Sequence, residues 1–466
     1  MRLYNTLGKD LQEFVPRDEG KASIYVCGPT VQSAPHLGHG RAAVVFDVLR
    51  RYLEWSGLEV HYVTNITDVE DKIIAEAQER GVSPQEVAAE ATEQFLTGYR
   101  ALGVLDADET PYATSHIAEM IALIERLVES GHAYESEGDV YFAVRSYPDY
   151  GKLSGHDLDE LISGARVDPG EHKRDPLDFA LWKAAKPGEP HWTSPWGEGR
   201  PGWHIECSAM AAKYLGPSFD IHGGGLDLVF PHHENEIAQS EAADGVPFAK
   251  YWLHNGMLNL SGEKMAKSTG QLIGLLDALD RYPPTAIRLF YLRKHYRSPL
   301  DFSDDVMADA VNSLERLWAF RRRTDNGSAA DPDVVGRFRR AMDDDLNTAE
   351  ALAALFDAVA DGNRRLDEGG DVGPLVAAYD QLVAVLGIGE PESDIEEVAG
   401  ELSELSAGLG LDGNGSASQM LDALVAHREV ARAEGDFATS DAVRDGLARH
   451  GIVLEDTADG PRWHRG

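Results

Sequence analysis

Residues 23 to 66 fix the class of fold. SIYVC (23–27) is a β-rich run, and GPTVQSAPHLGHG (28–40) is a turn punctuated by glycine and proline. Val44, Val45, Val48, Leu49, Tyr52 and Leu53 then recur at helical spacing until Gly57, after which LEVHYVTNIT resumes as strand. Strand, helix and strand joined by short turns make a βαβ unit, which pairs its strands parallel. Open parallel sheets bind ligands at the carboxyl ends of their strands, and here that end carries the 28–40 loop and the start of the helix.

The rest of the chain extends this plan. Helical patterns run over about 70–103 and 116–130, residues 139–200 switch to short strands, prolines and tryptophans, and strand and helix alternate again from 201 to 256. In that last stretch FDIHGGG is a strand, Pro231 opens a helix, and YWLHNG is a second strand. Residues 305–386 read as almost wholly helical, and GIGEPESD (387–394) separates them from a small tail unit. No internal repeat is present. The reading is a split α/β domain with an insertion, then a helical bundle, then a small C-terminal domain.

The 466 residues suffice for two to four domains and a large core. No apolar run is long enough to cross a membrane, and the N-terminal segment lacks the apolar core of a signal peptide, so the cytoplasm is the expected location. Two cysteines make no disulfide framework. The formal net charge is −36, and lysine supplies only 12 of the 43 bases, none beyond Lys294. Such a surface suits a cytosol with very high salt, where repulsion is screened and carboxylates hold water, or simply marks a generally acidic protein. It also argues against a nucleic-acid partner unless cations gather locally.

Three short motifs carry chemistry. In FPHHENE (230–236), His232 and Glu236 stand four apart and share a helix face, so they suit Zn²⁺ with two cysteine thiolates completing a tetrahedron. Cys27 ends the first strand and Cys207 follows GWHIE, which puts both at the same rim of the sheet; the competing reading leaves His233 and Glu234 solvated, His232 as a turn cap and the cysteines as core. In PHLGH (35–39), two imidazoles at a helix entry face a phosphate, or simply form a turn. In GEKMAKST (262–269), Lys264 and Lys267 form a strap for a polyphosphate, or a solvated pair.

The order of these motifs resembles the class I aminoacyl-tRNA synthetases, with His36-Leu37-Gly38-His39 at the HIGH position and Lys264-Met265-Ala266-Lys267-Ser268 at the KMSKS position. Within that class the chain resembles the cysteinyl-tRNA synthetases, through YVCGPTVQSAPHLGHGRAAVVFD, NITDVEDKII, GWHIECSAM, DIHGGGLDLVFPHHENEIAQSEA, HYRSPLDFS, MDDDLNTAEAL and GDFATSDAVRDGL. Leu37 and Ala266 depart from the family pattern, and QSAPHLGH (32–39) lacks the aromatic that the family often places before its HIGH motif. The resemblance implies a Rossmann-type catalytic domain over 1–304, with an insertion at about 115–200 and the lysine strap within about 257–304. It also implies a tRNA-binding bundle over 305–390 and an anticodon-binding domain over 391–466.

It further implies ATP-dependent activation of L-cysteine and transfer to tRNA(Cys), with Mg²⁺ accompanying ATP. Zn²⁺ would be held by Cys27, Cys207, His232 and Glu236, and would select cysteine by gripping sulfur. His36, Gly38, His39 and Lys267 are the implied ATP-binding residues, and His36, His39, Lys264 and Lys267 the implied catalytic ones. Thr67, Trp203 and His222 are the candidate pocket walls, each equally readable as core. For RNA contact the candidates are Arg321–Arg323 and, in the tail, Arg428, Arg432, Arg444, Arg449, Arg462 and Arg465 with Trp463. Two rivals remain: a ligase joining cysteine to an amino-sugar, and a non-catalytic zinc-stabilised RNA-binding module.

Overall fold

The structure, a computed structural model, describes residues 1–156, 172–260, 263–264, 273–325, 327, 329–391, 395–457 and 460–465. Two compact units divide the chain: Met1–Leu317 with Gly327–Ile388, and Trp318–Asn326 with Gly389–Gly466.

The first unit is built on a four-stranded parallel sheet in the order Ala249–Asn255, Phe219–Gly225, Lys21–Val26, Glu59–Thr64. The expected βαβ unit is present, its helix running Leu37–Trp55 and burying Val44, Val45, Val48, Leu49, Tyr52 and Leu53. Its connection leads from Lys21–Val26 to one side of the sheet, whereas Phe219–Gly225 leads to the other. The crevice between these two central strands is therefore a topological switch point, and it opens at their carboxyl ends.

A five-stranded antiparallel sheet has the order Ala133–Ser136, Asp139–Phe142, Phe179–Ala184, Gly197–Pro201, Trp192–Ser194. Its first hairpin turns through Glu137 (φ 57°) and Gly138 (φ 86°), the double left-handed conformation of a two-residue turn that matches strand twist. Three bundle helices, Pro332–Asp343, Thr348–Asp367 and Gly373–Leu386, belong to this unit. A buried ion pair ties them to the Leu37–Trp55 helix: Arg288 pairs with Asp47 and donates from Nε to the Leu386 carbonyl at 2.7 Å.

The second unit packs Ala399–Gly408, Ala417–Glu434 and Phe437–Arg449 with an antiparallel hairpin, Ile452–Thr457 and Gly460–Arg465, around Leu402, Leu421, Leu424, Val443 and Leu447. No helix among the described residues is long and apolar enough to cross a membrane.

Candidate active site

Four side chains from three separate segments meet at the switch point. Cys27 directly follows the Lys21–Val26 strand, Cys207 lies on the Trp203–Leu215 helix, and His232 and Glu236 flank the start of the Glu234–Asp244 helix. Helical geometry at 232 differs from the sequence expectation: a wide turn over Val229–His233, with Phe230 extended, precedes the regular helix, which starts at Glu234 rather than Pro231. The four donor atoms all lie within 4.8 Å of one another. Cys27 Sγ is 3.5 Å from Cys207 Sγ and 3.2 Å from His232 Nε2, and His232 Nε2 is 3.1 Å from Glu236 Oε1. A tetrahedral zinc ion, with bonds of about 2.0–2.3 Å, holds its donors about 3.3–3.8 Å apart, so the set fits that ion closely.

Electrostatics favour a cation here. Burial holds the Glu236 carboxyl well above the usual carboxylate range. The Cys207 thiol is raised strongly by the Cys27 sulfur beside it and by burial. Cys27 receives a lowering hydrogen bond from Cys207, yet burial, Glu236 and Asp227 leave it raised as well. Three acids that cannot ionise together without a counter-charge are what a divalent metal neutralises. Glu236 Oε1 is buried without a hydrogen bond among the described residues, while Oε2 receives His222 Nε2 at 2.9 Å.

Neighbouring groups fix the donors. His232 Nδ1 faces His204 Nδ1 at 2.9 Å, so with the proton on His232 Nδ1 the Nε2 lone pair is left to the donor cluster. The Trp203 ring stacks on His232 at 4.2 Å. Burial holds His204, His222 and His254 down at about 3, so all three are neutral imidazoles at ordinary pH. Asn65 Oδ1 accepts the Gly28 N–H at 2.8 Å, and a side chain at position 28 would strike the Asn65 carbonyl at 1.6 Å; only glycine lets the strand ends close here.

A cavity of about 460 Å³ opens on this cluster. Cys27 and Trp203 line one part of it; His36, Gly38 and His39 line another. His36 caps the Leu37–Trp55 helix by accepting the Gly38 N–H on Nδ1 at 3.1 Å, and His39 Nδ1 accepts the His36 N–H at 3.2 Å. The rings stack at 3.7 Å. With both Nδ1 atoms accepting, each neutral ring carries its proton on Nε2, a donor suited to phosphate oxygen. The two histidines thus do what Ser and Glu do in an ordinary capping box. Lys264 falls in a short strand, Glu263–Lys264, pairing with Leu258–Leu260 rather than in an open loop; Lys267 lies outside the described residues.

Sequence relatives decide the family. Residues 13–312 match the class I (C) tRNA synthetase catalytic domain, 337–389 the DALR domain, and 415–463 the cysteinyl-tRNA ligase anticodon binding domain. A cysteine–tRNA ligase of Desulforudis audaxviator is 49% identical over 488 residues, covering 100% of both chains. Another, of Alkalilimnicola ehrlichii, is 50% identical over 475 residues, again covering 100% of both. The chain belongs to the cysteine–tRNA ligase family. It is a class I aminoacyl-tRNA synthetase by the same matches. A Mycobacterium tuberculosis methionyl-tRNA synthetase in complex with methionyl-adenylate shares the fold at 16% identity, with a TM-score of 0.58 over 87% of this chain and 94% of that one. The LeuRS–tRNA–LeuAMS ternary complex of Agrobacterium radiobacter does so at 12% identity, with a TM-score of 0.60 over 81% and 84%.

Within this cysteine–tRNA ligase fold the other predicted residues take definite places. Trp203 lines the cavity, whereas Thr67 and His222 are not in its lining: Thr67 Oγ1 donates to Glu206 Oε2 at 2.9 Å, and His222 holds Glu236. His233 and Glu234, solvated in the competing reading, are fully buried. His233 Nδ1 pairs with His254 Nε2 at 2.8 Å, and Glu234 accepts the backbone N–H groups of Gly151, Leu153 and Ser154. His204, His254 and Asn65 escaped the sequence reading; the only local signal was their position beside strand ends and ligand-bearing segments. In the second unit, Arg428 is 5% exposed and forks onto Asp456 at 2.8 and 3.1 Å, so its guanidinium is engaged in an ion pair. Trp463 packs against the core of that unit. The side chains of Arg462 and Arg465 lie outside the described residues.

Proposed function

We propose that the chain activates L-cysteine with ATP and transfers it to tRNA(Cys), choosing cysteine through a zinc ion held by Cys27, Cys207, His232 and Glu236. The observation that carries this reading is the convergence of those four donors within 4.8 Å, at the edge of the cavity that His36 and His39 also line. Bound there, zinc supplies a soft Lewis-acidic centre that takes a thiolate far better than a hydroxyl. Selection of that kind discriminates by roughly 10⁴-fold without hydrolytic proofreading.

The amino acid's carboxylate is already a nucleophile, so the chain provides no covalent one. A carboxylate oxygen bonds to the α-phosphorus of ATP, and the bond from that phosphorus to the bridging oxygen breaks, releasing pyrophosphate. A terminal hydroxyl of tRNA then takes the aminoacyl group and AMP leaves. His36 and His39 donate to phosphate oxygens, and Gly38 lets the helix start approach the nucleotide. Lys264 and Lys267 neutralise the departing pyrophosphate, with Mg²⁺ accompanying ATP. Residues 305–390 and 391–466 serve tRNA binding, the latter at the anticodon, in a cytoplasm whose salt screens the acidic surface.

Cysteine-dependent ATP–pyrophosphate exchange and charging of tRNA(Cys), measured at molar salt beside zinc content, test the proposal. Exchange without tRNA charging points instead to a small acceptor. Equal activation of serine and cysteine by zinc-loaded protein refutes the role given to the metal.

A further inference from the structure

Lys72 lies in the NITDVEDKII block and has been given no role so far, yet it lines the catalytic cavity. Its Nζ lies 5.8 Å from the centroid of the Trp203 ring, and Trp203 in turn stacks on the donor residue His232. The lysine therefore stands one aromatic ring away from the cluster proposed to grip sulfur. In cysteine only three bonds separate that sulfur from the carboxyl carbon.

Charge accounting gives this position weight. The reaction brings a carboxylate against a triphosphate inside a chain of net charge −36, so the cavity needs local cations. Among its described lining residues the lysines and arginines are Lys72 and Arg100, and Arg100 Nε already faces Asp106 at 3.7 Å. Lys72 makes no carboxylate ion pair among the described residues. The acids next to it in sequence are engaged elsewhere: Asp71 is held by Lys183 at 2.5 Å and by Arg200, both from the antiparallel sheet, and Glu70 caps the Asp71–Arg80 helix by accepting the Lys72 backbone N–H at 2.6 Å. The chain just before 72 is thus anchored at Glu70 and Asp71 while the ammonium stays available.

We propose that Lys72 is a substrate-contact residue whose ammonium meets the amino acid's carboxylate and the α-phosphate that this carboxylate attacks. It bridges two anions that otherwise repel, and it transfers no proton. The oxygen–phosphorus bond forms and the bond to the pyrophosphate oxygen breaks with the electron pair leaving on pyrophosphate. This inference rests on the activity proposed above.

The test uses the full-length protein as wild type, Lys72→Met and Lys72→Arg. Methionine keeps an apolar stem beside Trp203 and removes the charge; zinc content and thermal midpoint confirm that each variant is folded and loaded. The measurements are cysteine-dependent ATP–pyrophosphate exchange and inhibition by cysteamine, which has the thiol and amine but no carboxylate. Lys72→Met should lower kcat/KM for cysteine by roughly 10- to 100-fold, the size of a lost charged hydrogen bond, and Lys72→Arg should recover a large part. Cysteamine inhibition should stay within about twofold of wild type, because nothing in it reaches the lost charge. Unchanged kcat/KM in Lys72→Met, or cysteamine inhibition weakened in parallel with cysteine, overturns the inference alone. A wild type without cysteine-dependent exchange overturns it together with the activity.

Discussion

Replacing Cys207 by serine removes one of the four proposed zinc donors with little change in packing. Cys207 Sγ is fully buried, 3.5 Å from Cys27 Sγ and 3.7 Å from Asn65 Oδ1. Serine is no larger than cysteine and adds no bulk there, so the Trp203–Leu215 helix keeps its seat. The serine hydroxyl does not replace the thiolate. Zinc–oxygen bonds are about 0.2 Å shorter than zinc–sulfur bonds while serine's arm is also shorter, and the hydroxyl does not ionise near neutral pH. An apparent binding energy of about 10–16 kcal/mol shared among four donors assigns one of them about 3 kcal/mol. That corresponds to roughly a 100-fold loss of metal affinity. The assay is zinc retention against a graded chelator series, run with cysteine-dependent exchange on the same samples. We expect metal and exchange to be lost together, with the thermal midpoint of the metal-free forms unchanged between variant and wild type. Full zinc retention with unaltered preference for cysteine over serine would refute the reasoning.

Other substitutions test the supporting structure. His204→Phe keeps a ring against Phe179 but removes the partner of His232 Nδ1, and should cost about 10- to 100-fold in zinc affinity by competitive chelation. Asp47→Asn leaves the buried Arg288 guanidinium without its counter-charge and should destabilise the first unit by about 3 kcal/mol, read as a lowered urea midpoint at constant slope. His254, held down at about 3 by burial, binds no proton in the folded state at pH values where the unfolded chain, titrating near 6.5, does. Its contribution to stability is present in full above about 6.5 and is lost as pH falls toward about 3, at up to about 1.4 kcal/mol per pH unit. His254→Gln should therefore reduce the acid slope of unfolding free energy by about one proton. A slope that does not change would mean that another group carries the titration.

Some of this architecture is written locally, and some is not. Helical recurrence from Val44 to Leu53, the strand on either side of it, and the four-residue spacing of His232 and Glu236 depend on contacts between near neighbours, so the chain's own text determined the parallel-sheet class and put those two side chains within reach of one another. Family motifs supplied the ligand set as an implication of resemblance. Only the tertiary structure decided that Cys27 and Cys207 meet: strand order places the end of Lys21–Val26 beside the strand Phe219–Gly225, and sequence separation carries no information about that pairing. Burial likewise turned His233 and Glu234 from solvated side chains into members of internal networks and drew Arg428 into an ion pair. Whether a polar side chain faces water or a partner depends on which elements pack over it, and that is a property of the assembled layers rather than of the segment that bears the residue.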